Sequence, residues 1–154
     1  VEKLSINSRF NLVQFTRTYN VFNQEVVPAT DDNKNAALNW LEEDFRTSGF
    51  GGGSGWVSGN DDGVQKVMRR VFEMQPDVIY LLSDGSFQKD DPTGKSSFGL
   101  QVSWDELVDD VEELQKGLAE PARLHFIAFG ISGGDWKGAR KLARRNDGKA
   151  KKFD

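Results

Sequence analysis

The fold class predicted by this sequence is α/β, with helices wound on both sides of a mainly parallel sheet. Three observations carry that prediction. Helical periodicity alternates with short apolar runs along the chain. Two of those runs, Val78 to Leu82 and Leu124 to Phe129, are apolar at nearly every position. Each follows a proline, Pro76 or Pro121, that stops the preceding segment. Strands apolar on both faces belong between two helical layers, so the expected architecture is three layers, α/β/α. A chain of 154 residues is sized for one domain with a single sizeable core.

Each element can be justified in order. Phe10-Asn-Leu-Val-Gln-Phe15 is short, apolar and bounded by polar residues, and reads as a buried strand. The stretch from Asn20 to Val27 follows closely enough to be its antiparallel partner, and Pro28 closes it. From Thr30 the period becomes helical. Leu38, Leu41 and Phe45 share a face, Ala37 and Trp40 flank it, and Thr30 or Asp31 serves as N-cap. Gly49 to Asn60 holds too much glycine for regular structure and is a loop. The next helix carries Val64, Val67, Met68, Val71 and Phe72 on one face, and Pro76 ends it before the strand from Val78.

A polar excursion then runs from Ser86 to about Gln101. Ser103 and Glu106 form a capping box for a helix built on Trp104, Leu107, Val108, Val111, Leu114 and Leu118. The strand from Leu124 leads through a loop, Gly130 to Asp135, to a last helix marked by Trp136, Ala139, Leu142 and Ala143. Asn146 or Gly148 caps its end, and the tail from Lys149 starts an edge strand.

Composition excludes several function classes. The net charge of -4 and the lack of a basic stripe before the last helix argue against nucleic acid as partner. The basic residues between Lys137 and Lys152 read as a solvated face, as do the acids Asp105, Glu106, Asp109, Asp110, Glu112 and Glu113. There is no cysteine, hence neither a disulfide nor a thiolate metal site, although this does not fix the compartment. No apolar stretch approaches the roughly 18 residues of a membrane span. The only histidine, His125, is expected to be a buried, hydrogen-bonded core residue in mid-strand, unsuited to partner a nucleophile.

In sheets of this kind ligands bind beyond the carboxyl ends of the strands. Asp84 stands there, flanked by Ser83, Gly85 and Ser86. Ser54, Ser58, Asn60, Asp61 and Asp62 belong to a loop that can converge on it, and hydroxyls with carboxylates suit Mg²⁺, Mn²⁺ or Ca²⁺. Trp56, within the glycine loop, is a candidate contact residue. Asp90 and Asp91 read as a turn before Pro92. Gly51 to Gly55 invites a phosphate-cradle reading, but it lacks the Lys-Ser/Thr ending of a P-loop and follows a helix rather than a strand.

Three blocks, taken in order, resemble the von Willebrand factor A (vWA) domain family along nearly the whole chain. Arg9-Phe-Asn-Leu-Val-Gln-Phe15 is similar to the family's second strand. Pro76-Asp-Val-Ile-Tyr-Leu-Leu-Ser-Asp-Gly85 is similar to the strand ending in its Thr-Asp-Gly signature, and Leu124-His-Phe-Ile-Ala-Phe-Gly130 to the strand after it. The resemblance implies a Rossmann-like sheet with a metal-ion-dependent adhesion site, whose ion is completed by an acidic side chain of a protein partner. Asp84 matches the aspartate of the third motif, with Ser83 in place of the threonine before it.

Two departures stand out. The family's first motif, Asp-x-Ser-x-Ser, is absent, and Val1 to Ile6 reads as the end of the helix that should follow it. Residues 1–154 are therefore expected to be one vWA-like domain lacking an upstream βα unit on the order of 30 residues. A missing fragment or strand exchange between copies would supply that unit. The threonine of the second motif is also absent, which leaves Ser58, Asp61 or Asp62 as substitutes.

The leading expectation is a non-enzymatic protein-binding or adhesion module, with Asp84, Ser58, Asp61 and Asp62 as metal ligands and Trp56, Ser83 and Ser86 as partner contacts. A metal-independent interaction or scaffolding domain is the alternative. A nucleotide-binding or hydrolytic enzyme ranks below both. The resemblance favours an extracellular or envelope setting without fixing it.

Overall fold

The computed structural model describes residues 1–15, 19–44, 63–96 and 99–153. The elements in chain order are β1 (Arg9–Phe10), β2 (Val13–Phe15), β3 (Tyr19–Val21), β4 (Val27–Pro28), α1 (Asp31–Asp44), α2 (Val64–Glu73) and β5 (Val78–Ser83). They continue with β6 (Gln88–Lys89), β7 (Leu100–Gln101), α3 (Trp104–Gln115), β8 (Arg123–Phe129), α4 (Gly133–Arg145) and β9 (Ala150–Phe153). The class is α/β, as the alternating pattern predicts. Strands β5, β8 and β9 form a parallel sheet in that spatial order, with Leu81 opposite Phe126 and Phe126 opposite Ala150.

Alternation along the strands decides where the core lies. Ile79, Leu81, Leu124, Phe126 and Ala128 are buried against Met68 and Phe72 of α2, Leu107, Val108 and Val111 of α3, and Ala139 and Leu142 of α4. Among the described residues these three helices pack against a single face of the sheet. The intervening residues, Tyr80, Leu82 and Phe129, are exposed on the other face. The sequence predicts β5 in the interior of the sheet, but among the described residues its only hydrogen-bonded neighbour is β8. An unbroken apolar run says that both faces of a strand avoid water. It does not identify what covers them.

The amino-terminal segment differs in detail from the expected strand. Phe10 to Phe15 is divided between β1 and β2, because the Asn11 side chain interrupts it. Asn11 Nδ2 donates to the carbonyls of Asn23 (2.6 Å) and Glu25 (3.2 Å), while its Oδ1 accepts from the Leu12 and Asn23 amides. Val13–Phe15 is half-buried and pairs antiparallel with β3, the expected hairpin partner, and β1 pairs with β4. Phe10, Ala29 and Ala37 form a second, small core, into which Phe22 brings Trp40 at a ring distance of 6.0 Å. Thr30 caps α1, its hydroxyl accepting from Asn33 N at 3.3 Å. Phe45 lies outside the described residues.

The polar excursion contains a short antiparallel pair, β6 with β7, that periodicity does not reveal. It is pinned by two isolated apolar residues, Phe87 and Val102, both buried and joined by a backbone hydrogen bond of 2.9 Å. The α3 capping box is half formed. Ser103 Oγ accepts from Glu106 N at 3.1 Å, but the Glu106 carboxylate turns to Lys89 instead of back to Ser103.

The charged faces of α3 and α4 are solvated, as expected, and in addition they pair across the two helices. Acids of α3 meet bases of α4, Asp105 with Lys141 at 2.6 Å and Glu112 with Arg145 at 3.3 Å, because packing these helices side by side brings their polar flanks together. Lys141 holds the Asp105 carboxyl below its ordinary value.

Candidate functional site

The carboxyl ends of β5 and β8 open onto one rim of the sheet. On leaving β5 the chain turns sharply. Ser83 Oγ accepts from Gly85 N (3.1 Å) and Asp84 Oδ1 accepts from Ser86 N (2.9 Å). Gly85 takes a positive φ of 84° that other residues rarely adopt, and it packs against Ile131 and Trp104. These turns leave Asp84 and Ser86 exposed and Ser83 half-buried. The structure therefore places these three sequence-predicted residues together on the rim, with one Asp84 oxygen already used by the turn.

Two neighbours bound this turn. One is the loop after β8, where Ser132 caps α4 and Asp135 accepts from the Trp104 indole Nε1 at 2.9 Å. The Ser132 hydroxyl, and after it the indole, hold the Asp135 carboxyl below its ordinary value. Trp104 also meets Phe87 and Phe126 edge-on, at ring distances of 5.2 and 5.6 Å. It thereby fastens the β5 turn to the loop at the start of α4. Sequence reasoning assigns Trp104 only to a core face; its partner Asp135 is too distant in sequence for any spacing rule to find.

The other neighbour is the start of α2. Gly63, the first described residue after the glycine-rich segment, lies so close to Gln88 that an added Cβ would stand 2.1 Å from its carbonyl oxygen. Ser58, Asp61, Asp62 and Trp56 lie outside the described residues, as does the phosphate-cradle stretch Gly51 to Gly55. Among the described residues no three His, Cys, Asp or Glu side chains converge. The described part of the rim thus fits a hard cation in the kind of its donors, carboxylate and hydroxyl, but of its carboxylates Asp84 is partly used by the turn and Asp135 is engaged by Ser132 and the Trp104 indole.

Other candidates resolve into local roles. Asp91 accepts from the Thr93 hydroxyl (2.7 Å) and from the amides of Thr93 and Ser96, which holds its carboxyl below the ordinary value and makes it a turn-former, as the Pro92 context predicts. His125 is hydrogen-bonded as expected, its Nδ1 accepting from Lys149 N at 3.0 Å. It is only half-buried, however, and stacks on Tyr80 at 5.0 Å on the open face of the sheet. This corrects the expectation of a fully buried histidine, and the reason is again that face. A concavity of about 430 Å³ lined by Arg9, Arg70, Glu73 and Met74 lies beside the end of α2, before β5 begins and away from Asp84. Its Arg70 is paired with Glu73 at 3.0 Å.

Lys89 and Glu106 form an ion pair at 2.5 Å that ties β6 to α3 behind the rim. Chiefly through the Lys89 hydrogen bond, the Glu106 carboxyl is held below its ordinary 4.5. A lowered folded value stabilises the protein above the unfolded value, and that stabilisation is lost as pH falls through the folded one. Glu106→Gln is expected to cost about 0.5 kcal/mol at pH 7, since the pair is partly exposed and screened. The difference from the parent should shrink as pH drops below 4.5. Thermal melts from pH 7 down to the acid limit check this; a gap that does not close on acidification contradicts it.

No protein-family model matches the chain, and no curated protein matches it. No helix among the described residues is long and apolar enough to cross a membrane.

Proposed function

We propose that this chain is a non-enzymatic protein-recognition module of vWA-like architecture, binding its ligand at the carboxyl rim of the β5–β8–β9 sheet. The observation that carries the reading is the position of Asp84. It is an exposed carboxylate at the turn leaving β5, and Gly63, the first described residue after the glycine-rich segment, packs against the same excursion at Gln88. Ser83 and Ser86 stand beside it as partner contacts, with Trp56 offered from the glycine-rich segment. In this reading Asp84 shares a divalent ion, Mg²⁺, Mn²⁺ or Ca²⁺, with oxygen ligands drawn from Ser58, Asp61 and Asp62, and an acidic side chain of the protein ligand completes the shell. The three-layer, doubly wound arrangement belongs to the same proposal. It calls for a further strand on the free side of β5, between it and the β2–β3 hairpin. A hydrolytic reading is disfavoured because the lone histidine lies in mid-strand, its Nδ1 engaged by a backbone amide.

The test is Mn²⁺-dependent protection against unfolding. At a hundredfold excess over Kd, a site filled only in the folded state adds about 2.7 kcal/mol. For a domain of this size that raises Tm by roughly 5–10 °C. Asp84→Ala is expected to abolish the shift, while loss of the exposed bond from Ser86 N lowers the metal-free Tm by no more than about 1–4 °C. A shift that survives Asp84→Ala removes this residue from the site. No shift in the parent leaves the metal-independent interaction module.

A further inference from the structure

We infer that the outward face of α4, with Lys152 of β9 beside it, is a docking surface for an acidic segment of a partner polypeptide. The inference concerns a different surface from the rim and does not depend on a metal there. Residues 136–153 carry eight bases and one acid, Asp147, within a chain of net charge -4. The bases of α4 fall into two groups. Lys141 and Arg145, on the flank against α3, are paired with Asp105 and Glu112. Lys137, Arg140 and Arg144 are exposed on the outward face, three and four residues apart, and no carboxylate pairs with them among the described residues. Like charges so spaced repel each other, so the row works against the helix that carries it. The helix dipole favours Arg144 in the last turn but gives Lys137, nearer the amino end, no such support.

The three-layer arrangement leaves this face outside. Helix α4 buries Ala139, Leu142 and Ala143 against the sheet, and the three unpaired bases point away from it. Helices that cover the other face of the sheet do not reach it, and the further strand proposed beside β5 lies at the opposite edge from β9. The neighbourhood chooses the occupant. Lys152 reaches over Trp136, its Nζ 5.1 Å from the ring centre, and so extends the row towards β9. The half-buried ring is thereby capped by a cation and offers no open stacking platform of the kind that single-stranded nucleic acid uses. No large apolar side chain of α4 is exposed, so nothing on this helix is placed to enter a bilayer. What remains is a row of cations suited to carboxylates. Lys137 and Arg144 stand roughly 10 Å apart along the helix axis. An extended peptide presents same-side residues roughly 7 Å apart, so acids at alternate positions fall within reach of the row.

The probe is a fluorescein-labelled peptide of about ten residues in which glutamate alternates with serine, and the control carries lysine in place of glutamate. Fluorescence anisotropy at about 50 mM salt is expected to show saturable binding of the glutamate peptide and none of the lysine peptide, with affinity falling as salt rises. Lys137→Glu, Arg140→Glu and Arg144→Glu combined should weaken the binding at least about tenfold. Lys3→Glu, Lys66→Glu and Lys95→Glu combined change the net charge equally at exposed positions elsewhere, and should alter it by less than about threefold. If the α4 charge reversal fails to fold, Lys137→Gln, Arg140→Gln and Arg144→Gln combined decide, with an expected loss of about fivefold. No saturable binding by the parent protein, or equal losses in the two charge reversals, overturns the inference. So does tighter binding of an oligothymidine of equal charge or of anionic phospholipid vesicles, since another class of partner then occupies the face.

Discussion

Gly148→Ala is expected to destabilise the fold by about 4 kcal/mol, above the usual range for an overpacked site, and to lower Tm by roughly 10 °C. A methyl group at this position would stand 1.7 Å from the Leu124 carbonyl oxygen and 2.4 Å from its carbon. Neither atom can yield, because the crossing is tied on both sides. Asn146 O accepts from Leu124 N (3.0 Å), Lys149 O accepts from Phe126 N (3.0 Å), and Gly148 N donates to Ala143 O (2.9 Å). To make room, either the connection from α4 must lift off β8 or the β8–β9 pairing must open. Against this, alanine in place of glycine restricts the unfolded chain and contributes about 0.4–1 kcal/mol in the opposite direction. The steric term wins because it falls on backbone held by three hydrogen bonds. Denaturant melts of the parent and the variant measure the difference, and a loss under about 1 kcal/mol would show that the α4–β9 connection moves more freely than these bonds imply.

The same connection shows what the sequence can and cannot disclose. Asn146 or Gly148 is legible as a helix stop, since polar and glycine residues after an apolar period end helices. The structure gives both a part. Asn146 is the C-cap, buried, with Nδ2 donating to Leu142 O and Oδ1 accepting from Gln115, whereas Gly148 is fixed by the approach to Leu124. The first role is local and leaves a pattern. The second depends on which strand lies opposite, and no pattern within α4 encodes it. The elements divide in the same way. Helices α2, α3 and α4 and strands β5 and β8 follow from periods of 3.6 and from unbroken apolar runs. The β6–β7 pair rests on Phe87 and Val102, two apolar residues separated by a polar stretch, with no period to betray them.

The candidate site is legible to a lesser degree. Asp84 is found from its place after the most apolar strand, and Ser83 and Ser86 come with it as turn residues. What holds them is not legible, because it comes from Trp104, Ile131 and Asp135 across the sheet rim. The acidic face of α3 and the basic face of α4 are legible as solvated surface, but that these exposed charges pair is disclosed only by the side-by-side packing of the two helices.

Trp104 is the element that couples this rim to the core, and Gly138 is what admits it. A Cβ at position 138 would lie 2.1 Å from Trp104 Cγ and 2.2 Å from Cδ2. Glycine in mid-helix costs about 1 kcal/mol relative to alanine, so on propensity alone Gly138→Ala should stabilise α4. Contact reverses that sign. The indole is confined by Phe87 and Phe126 and by its bond to Asp135, and displacing it disturbs all three. Gly138→Ala is therefore expected to cost about 3 kcal/mol net, at the upper end for overpacking. Trp104→Leu by itself should cost about 3 kcal/mol through the cavity it leaves. In the Trp104→Leu background, however, Gly138→Ala should be neutral or stabilising, because the methyl enters space the indole has vacated and the propensity gain returns. The coupling energy of the double-mutant cycle is then about 3 kcal/mol, near the top of the range for residues in contact. Denaturant melts of the four proteins determine it. Additive losses within about 0.5 kcal/mol would mean that the indole does not rest on Gly138, and with it would go the account of how the Asp84 turn is fastened to α4.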